Sequence, residues 1–322
     1  MNRPLVRVTR RLPPDVEAAL AAEFAVELNP SDVPLPAGEL HRAMRGADAL
    51  LCTVTDRLDA DVIGPPPVRC RLLANFGVGY NHIDLAAARA AGIAVTNTPG
   101  VLTDATADLT MALILVVARR MGEGERLLRR GEWRGWTPTQ LLGRDVAGAR
   151  LGIIGFGRIG QAVAQRAHAG FGMEVRFWTP RPNLPAARLA GAEPMETVDE
   201  LVAWADFVSL HCPSTPETRH LIDARRLALM RREAFLVNTA RGDVVDEVAL
   251  VKALQNHTIA GAALDVYEGE PRVPPELAAM ENVVLLPHLG SATREARTAM
   301  GLRALRNLSA FFAGRDLPDR VA

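Results

Sequence analysis

The chain has 322 residues, 48% of them hydrophobic and 23% charged, with 37 Lys plus Arg balanced by 37 Asp plus Glu. At about 150 residues per domain, this length predicts two domains with enough apolar content for substantial cores. A net charge of zero argues against a nucleic-acid or anionic-membrane partner, since both would call for a basic excess.

The start MNRPLVRVTRRLPP scatters Arg and Pro where a signal peptide needs an unbroken apolar stretch, which points to a cytoplasmic chain. Leu5–Thr9 reads as a strand, and Asp15–Phe24 as a helix entered through Pro13-Pro14. Ala49–Thr53 and Leu72–Asn75 read as further strands, and Asp84–Ala91 as a helix closed by Gly92. This alternation predicts a parallel sheet covered by helices. Thr103–Arg120 is the most apolar helix, with Thr103 or Asp104 as its cap and Arg119-Arg120 at the end its dipole favours. Its apolar residues cover more than one face, which predicts burial on several sides. The run Met111–Ala118 within it falls far short of the roughly 20 residues that cross a bilayer, so no membrane span is expected. Gly131–Gly143, with Trp133 and Trp136, reads as a loop.

A second series opens with strand Arg150–Ile154, glycine loop Gly155–Gly160 and helix Gln161–His168. Further strands are expected at Glu174–Trp178, Phe207–His211, Phe235–Asn238, Ile259–Leu264 and Val283–Leu286, the layout of a dinucleotide-binding domain. Gly155-x-Gly157-x-x-Gly160 fits the phosphate-binding fingerprint in its required strand–turn–helix setting. Gly155 permits the tight turn, Gly157 lets a pyrophosphate approach the backbone, and Gly160 lets helix and strand pack closely. An NAD site usually carries Asp or Glu at the end of the next strand, but this chain has Thr179-Pro180-Arg181 there. A hydroxyl and a guanidinium would bind a ribose 2′-phosphate that a carboxylate would repel. NADP(H) is therefore the expected preference, with NAD(H) tolerated. Cys52, Cys70 and Cys212 are too scattered for a disulfide framework or zinc set. His41, His82, His168, His220 and His257 have no metal-ligand spacing either, so no metal is expected.

Several ordered segments carry a wider resemblance: NFGVGYNHID, NTPGVLTDATADLTMALIL, GIIGFGRIGQAVAQRA, SLHCPSTPETRHLI, LVNTARGDVVDE, ALDVYEGEP and LPHLGSAT. On these the chain resembles the D-isomer-specific 2-hydroxyacid dehydrogenases, and within them the glyoxylate/hydroxypyruvate reductases. The resemblance implies an α/β protein of two doubly wound parallel-sheet domains, with a Rossmann-type cofactor domain inserted into a flavodoxin-like substrate domain. Residues 1–98 and 288–322 would form the substrate domain and 99–287 the dinucleotide-binding domain. It also implies a homodimer, with the helix starting near Thr103 at the interface. The implied activity is NADPH-dependent reduction of small 2-oxo acids, glyoxylate to glycolate and hydroxypyruvate to D-glycerate. The alternatives are another D-2-hydroxyacid dehydrogenase, such as a phosphoglycerate type, or a nucleotide-binding sensor resembling certain corepressors.

Arg241 in NTARGD, Glu270 in DVYEGEP and His288 in PHLG match the family's catalytic trio. An imidazole is suited to donate a proton to a carbonyl oxygen near neutral pH, and a carboxylate beside it steadies the imidazolium. A guanidinium can clamp the substrate carboxylate and polarise the carbonyl. By the same resemblance Val78 and Gly79 bind the substrate carboxylate, and the adjacent glycines suit an anion-binding concavity. Asp265 matches the position that holds the nicotinamide carboxamide. Arg158, Ile159, Thr239 and Ala240 match cofactor contacts, as do His211 and Pro213 through their backbone, with no chemistry expected from Cys212.

Overall fold

A computed structural model describes residues 3–65 and 67–322. The chain divides into two compact units, one of Met1–Leu102 with Ala292–Ala322 and the other of Thr103–Ser291. Each is an α/β unit built on a single parallel sheet.

Unit 1 contains β1 (Leu5–Val8), β2 (Ala25–Glu27), β3 (Ala49–Thr53), β4 (Leu72–Phe76) and β5 (Ala94–Thr96), ordered β2-β1-β3-β4-β5. This is the flavodoxin-like order. The central strands read ALLCT and LLANF and are buried along their length, as parallel strands covered on both faces must be. One face packs Val6, Val8, Leu51 and Ala74 against Val16, Leu20 and Leu308. The other packs Leu50, Cys52 and Leu73 against Leu40, Met44 and Ile63. Residues beyond 291 return to this unit as the helix Arg294–Phe312. Its Gly301 allows a close approach to the helix Pro14–Glu23, since a Cβ there would come within 2.5 Å of Val16.

Unit 2 contains β6 (Arg150–Ile154), β7 (Glu174–Trp178), β8 (Ala192–Pro194), β9 (Phe207–Leu210), β10 (Phe235–Asn238), β11 (Gly261–Leu264) and β12 (Val283–Leu285). Their order is β12-β11-β10-β9-β6-β7-β8. The winding direction reverses between β6 and β9, and in such sheets ligands bind in the crevice beyond the carboxyl ends at that reversal. Asp206 fastens the opposite end of this junction. Its carboxylate accepts from the Arg150 N–H at 3.1 Å and from its guanidinium at 2.8 Å, and it also faces Arg144 and Arg231.

The helix Thr103–Ala118 packs on the helix Arg158–Phe171 and across β10, β11 and β12. It is less enclosed than its composition predicts, since Ala112 is exposed and Leu115 and Val116 are half-buried within this chain. It also ends earlier. Arg120 turns left-handed at φ +52, and a separate helix Met121–Arg129 follows. The divisions between units lie after Leu102 and after Ser291, slightly beyond the expected 98 and 287, so His288 belongs to unit 2. The reason is local: main-chain groups of residues 288–290 bond to Asp265 and Thr106, both of that unit.

Candidate active site

All the residues expected at a nucleotide or in the trio follow the carboxyl ends of unit 2 strands. Gly155–Gly160 follows β6, Thr179–Arg181 follows β7, His211–Pro213 follows β9, Thr239–Arg241 follows β10, Asp265 and Glu270 follow β11, and His288 follows β12. Parallel pairing carries these loops to one edge of the sheet without any having to be close in sequence.

The three glycines meet distinct steric demands. Gly155 has φ +94, and a Cβ there would lie 2.5 Å from the Cys212 nitrogen, so only glycine lets β6 turn against the end of β9. A Cβ at Gly160 would collide with the Gly155 carbonyl, whereas one at Gly157 would meet nothing. The helix Arg158–Phe171 that begins here has no side-chain cap, while helices at Leu184, Val198, Ala224 and Glu247 are capped by Asn183, Thr197, Asp223 and Asp246. An open approach over Gly157 onto an uncapped helix N-terminus fits a pyrophosphate. The end of β7 lies beside this turn, with the Gly155 N–H donating to the Trp178 carbonyl at 2.9 Å. Thr179 is half-buried there, and Pro180 and Arg181 are exposed. His211 is anchored by its N–H to the Ile154 carbonyl at 2.7 Å, and its ring meets the Ser209 hydroxyl at 2.8 Å. Loss of water pushes this imidazole well below its ordinary pKa, so it is neutral. Burial pushes the Cys212 thiol up to about 12, which rules it out as a thiolate nucleophile near neutral pH.

Arg241, Glu270 and His288 come together at the far side of the reversal. His288 Nδ1 lies 2.9 Å from Glu270 Oε2, and Glu270 Oε1 accepts the Tyr267 N–H at 3.0 Å. Burial opposes ionisation of Glu270. The hydrogen bond and charge of His288, the Tyr267 N–H and the charge of Arg241 override it, holding the carboxyl below its ordinary range. An ionised partner at Nδ1 assigns the proton to that nitrogen and leaves Nε2 as the outer nitrogen. Burial is also the main influence on Arg241, lowering its pKa against the charges of Glu270 and Asp243.

The loop backbones explain why the trio meets. Buried Asn238 closes the turn before Arg241, accepting from the Ala240 N–H at 3.0 Å and donating to the Arg241 carbonyl at 2.9 Å. Gly242 then passes directly against the Tyr267–Glu268 peptide, where any Cβ would collide. His288 adopts φ +55, a left-handed conformation that costs a side chain about 1–2 kcal/mol. It is held there by its N–H on the Asp265 carbonyl at 3.0 Å, and by the Leu289 and Gly290 N–H groups on the Asp265 carboxylate at 2.6 and 2.8 Å. Burial raises the pKa of that carboxyl, with the two N–H groups and the His288 charge opposing.

In unit 1, Val78 and Gly79 follow β4 in a half-buried turn. Among the described residues, the N–H groups of Val78, Gly79 and Tyr80 donate no hydrogen bond. Such a run of outward donors suits an anion.

A family model described as D-isomer specific 2-hydroxyacid dehydrogenase, NAD binding domain, matches residues 111–290. Glyoxylate reductases of Thermococcus litoralis and Thermococcus kodakarensis are 45% and 46% identical over 99% of this chain, covering 97% and 96% of their own lengths. The chain belongs to the D-isomer specific 2-hydroxyacid dehydrogenase family. A crystal structure of an NADPH-dependent glyoxylate/hydroxypyruvate reductase from Sinorhizobium meliloti, in complex with NADP and malonate, is also similar. It has a TM-score of 0.88 and 34% identity, over 100% of this chain and 97% of that one. This 2-hydroxyacid dehydrogenase is thus an NAD(P)-dependent oxidoreductase with the two-sheet fold of its relatives.

Sequence reasoning missed the supports of this dehydrogenase's loops. Asn238 and Gly242 flank Arg241 within quoted motifs, and their neighbours drew the attention. Thr106 donates to the Gly290 carbonyl at 3.0 Å and Thr110 meets Thr239 at 3.0 Å. Nothing in a helical pattern distinguishes a threonine that braces a distant loop from one that faces the core.

Proposed function

We propose that this dehydrogenase is an NADPH-preferring reductase of small 2-oxo acids, converting glyoxylate to glycolate and hydroxypyruvate to D-glycerate. The observation that carries the reading is the His288–Glu270 pair at 2.9 Å beside the partly desolvated Arg241. Imidazolium, carboxylate and guanidinium are the groups needed to protonate a ketone oxygen while holding a carboxylate anion. The names of the glyoxylate reductases to which the chain is similar support the substrate class.

In this reading His288 Nε2 gives its proton to the substrate carbonyl oxygen, while Glu270 accepts from Nδ1 and fixes the ring. Arg241 clamps the substrate and draws electron density toward the carbonyl oxygen; the N–H groups at Val78 and Gly79 in unit 1 are proposed as donors suited to a carboxylate. Asp265 acts first on His288, because both of its carboxylate oxygens bond the turn that carries the imidazole.

A dinucleotide would be held by Gly155, Gly157, Arg158, Ile159 and Gly160, with Thr239, Ala240, His211 and Pro213 along it. When bound, the reduced nicotinamide supplies the hydride that the carbonyl carbon accepts. Thr179 and Arg181 support the preference for NADPH, as Arg181 is exposed and has no ion pair among the described residues. We further propose a homodimer. Met121, Leu128, Trp133, Trp136 and Leu142 are exposed on one stretch of unit 2, an apolar display typical of an interaction surface.

The test is a kinetic panel of glyoxylate, hydroxypyruvate, pyruvate and 3-phosphohydroxypyruvate, each with NADPH and NADH. Highest kcat/KM for glyoxylate or hydroxypyruvate with NADPH is expected. A best substrate of 3-phosphohydroxypyruvate would move the reading to the phosphoglycerate type, and nucleotide binding without turnover of any would move it to a sensor.

A further inference from the structure

The turn after β4 is held in an unusual way. Asn75 is the fourth residue of that strand, only 1% exposed, and its amide nitrogen donates to the Gly77 and Gly79 carbonyls at 3.0 Å each. Both amide hydrogens are thereby used. Asn97 Nδ2 donates to the Val78 carbonyl at 2.9 Å between them, and the Thr98 N–H donates to Gly77 at 3.0 Å. Every carbonyl of Gly77–Gly79 is therefore bonded inward, while the N–H groups of Val78, Gly79 and Tyr80 bond to nothing among the described residues. The Asn75 oxygen is itself buried without a partner among the described residues. Turning the amide over would set that oxygen against two carbonyls, so its orientation is dictated by charge. A buried acceptor left without a protein partner costs stability, so the arrangement is better explained by the shape it imposes on the turn.

We propose that Asn75, seconded by Asn97, is the positioning residue of the substrate anion site, holding residues 77–79 so that consecutive N–H groups face a carboxylate. Neither asparagine touches the anion. The inference deepens the functional reading above and rests on it for the identity of the anion. It also separates the two donors by consequence: Asn75 sets the ends of the turn, and Asn97 sets its middle.

The test uses the full-length protein saturated with NADPH and, as probe, oxalate, a non-reducible carboxylate of glyoxylate's size. Asn75→Ala removes the donors, and Asn75→Asp replaces them with acceptors in the same shape. Both variants should bind oxalate at least about tenfold more weakly. Their KM for glyoxylate should rise similarly, with kcat changed less than threefold and the NADPH dissociation constant unchanged. Asn97→Ser, which leaves the strand residue intact, should show a smaller shift of the same kind and decides the matter if the Asn75 variants do not fold. Oxalate affinity and KM within twofold of the parent would overturn the proposal, as would an equal loss of NADPH affinity, which marks general damage. If the parent binds oxalate and the variants do not, yet no 2-oxo acid is turned over, the positioning role stands and the functional reading fails.

Discussion

His288, the proposed proton donor, also has a strained backbone, at φ +55. Its replacement by alanine should lower kcat for glyoxylate by about 10²–10⁴-fold, the usual contribution of a general acid, with the NADPH dissociation constant unchanged. A loss of less than about tenfold would reject the proton-donor role. The fingerprint glycines make a contrasting pair. Gly155→Ala forces a side chain to φ +94 and within 2.5 Å of the Cys212 nitrogen, so about 2–4 kcal/mol of stability should be lost in denaturant titrations. Gly157→Ala adds a methyl that meets no protein atom. Its stability should stay within about 0.5 kcal/mol of the parent while nucleotide affinity falls, because the methyl occupies space a pyrophosphate needs. Arg181→Glu should reverse the ratio of NADPH to NADH kcat/KM, and an unchanged ratio would remove the 2′-phosphate assignment. At this scale the candidate trio and the glycines could be proposed from sequence because they stand inside recognisable motifs. Asn75, Asn238 and Thr106 could not, because a residue that bonds to someone else's backbone leaves no pattern in its own stretch of chain.

At the scale of elements, the strands β3, β6, β7 and β10 follow the sequence reading residue for residue. β3, β6 and β10 are buried over nearly their whole length and β7 alternates buried and more exposed residues, and a short apolar or alternating run ended by a turn residue is a clear signal. Of the four three-residue strands, β2, β5 and β8 escaped it, while β12, an apolar Val-Val-Leu run, was read within Val283–Leu286. The helix Thr103–Ala118 was recognised as apolar, but its work as a brace was not. Thr106→Val removes the donor to the Gly290 carbonyl at near-constant shape. The expected cost is about 1 kcal/mol of stability, together with a fall in kcat larger than any change in NADPH affinity, because the freed carbonyl belongs to the turn that carries His288. Equal kcat in the variant would show that Asp265 holds that turn by itself. The end of that helix was read to within two residues, but the separate helix Met121–Arg129 beyond the left-handed Arg120 was not, because neither Gly nor Pro stands at the break to announce a new start.

Over the whole of unit 2, the site is formed at one edge of the sheet and secured at the other. Burial alone would raise the pKa of Asp206, but the hydrogen bonds from Arg150 and the charges of Arg144 and Arg150 bring it down to about 2, from an ordinary 3.8. A carboxyl whose pKa is depressed by folding stabilises the fold above its unfolded value and loses that contribution as pH falls through the folded one. The stabilisation is therefore complete above about pH 4 and disappears toward pH 2. Allowing for solvent screening of the arginine heads, Asp206→Asn should cost about 1–2 kcal/mol at pH 7. The difference from the parent in thermal midpoint should vanish near pH 2, and a difference independent of pH would show that packing, and not charge, is lost.

Read as a string, the chain determined its class, its two α/β units and the glycine loop, since these follow from local hydrophobic period and turn chemistry, while the candidate trio came with the family resemblance. Only the tertiary structure decided that Glu270 and His288 meet at 2.9 Å, that Asp265 and Thr106 hold the His288 turn, and that the carbonyls of Gly77–Gly79 face inward. Those outcomes depend on which strand lies beside which and on backbone groups that every residue shares, and a backbone donor carries no letter of its own.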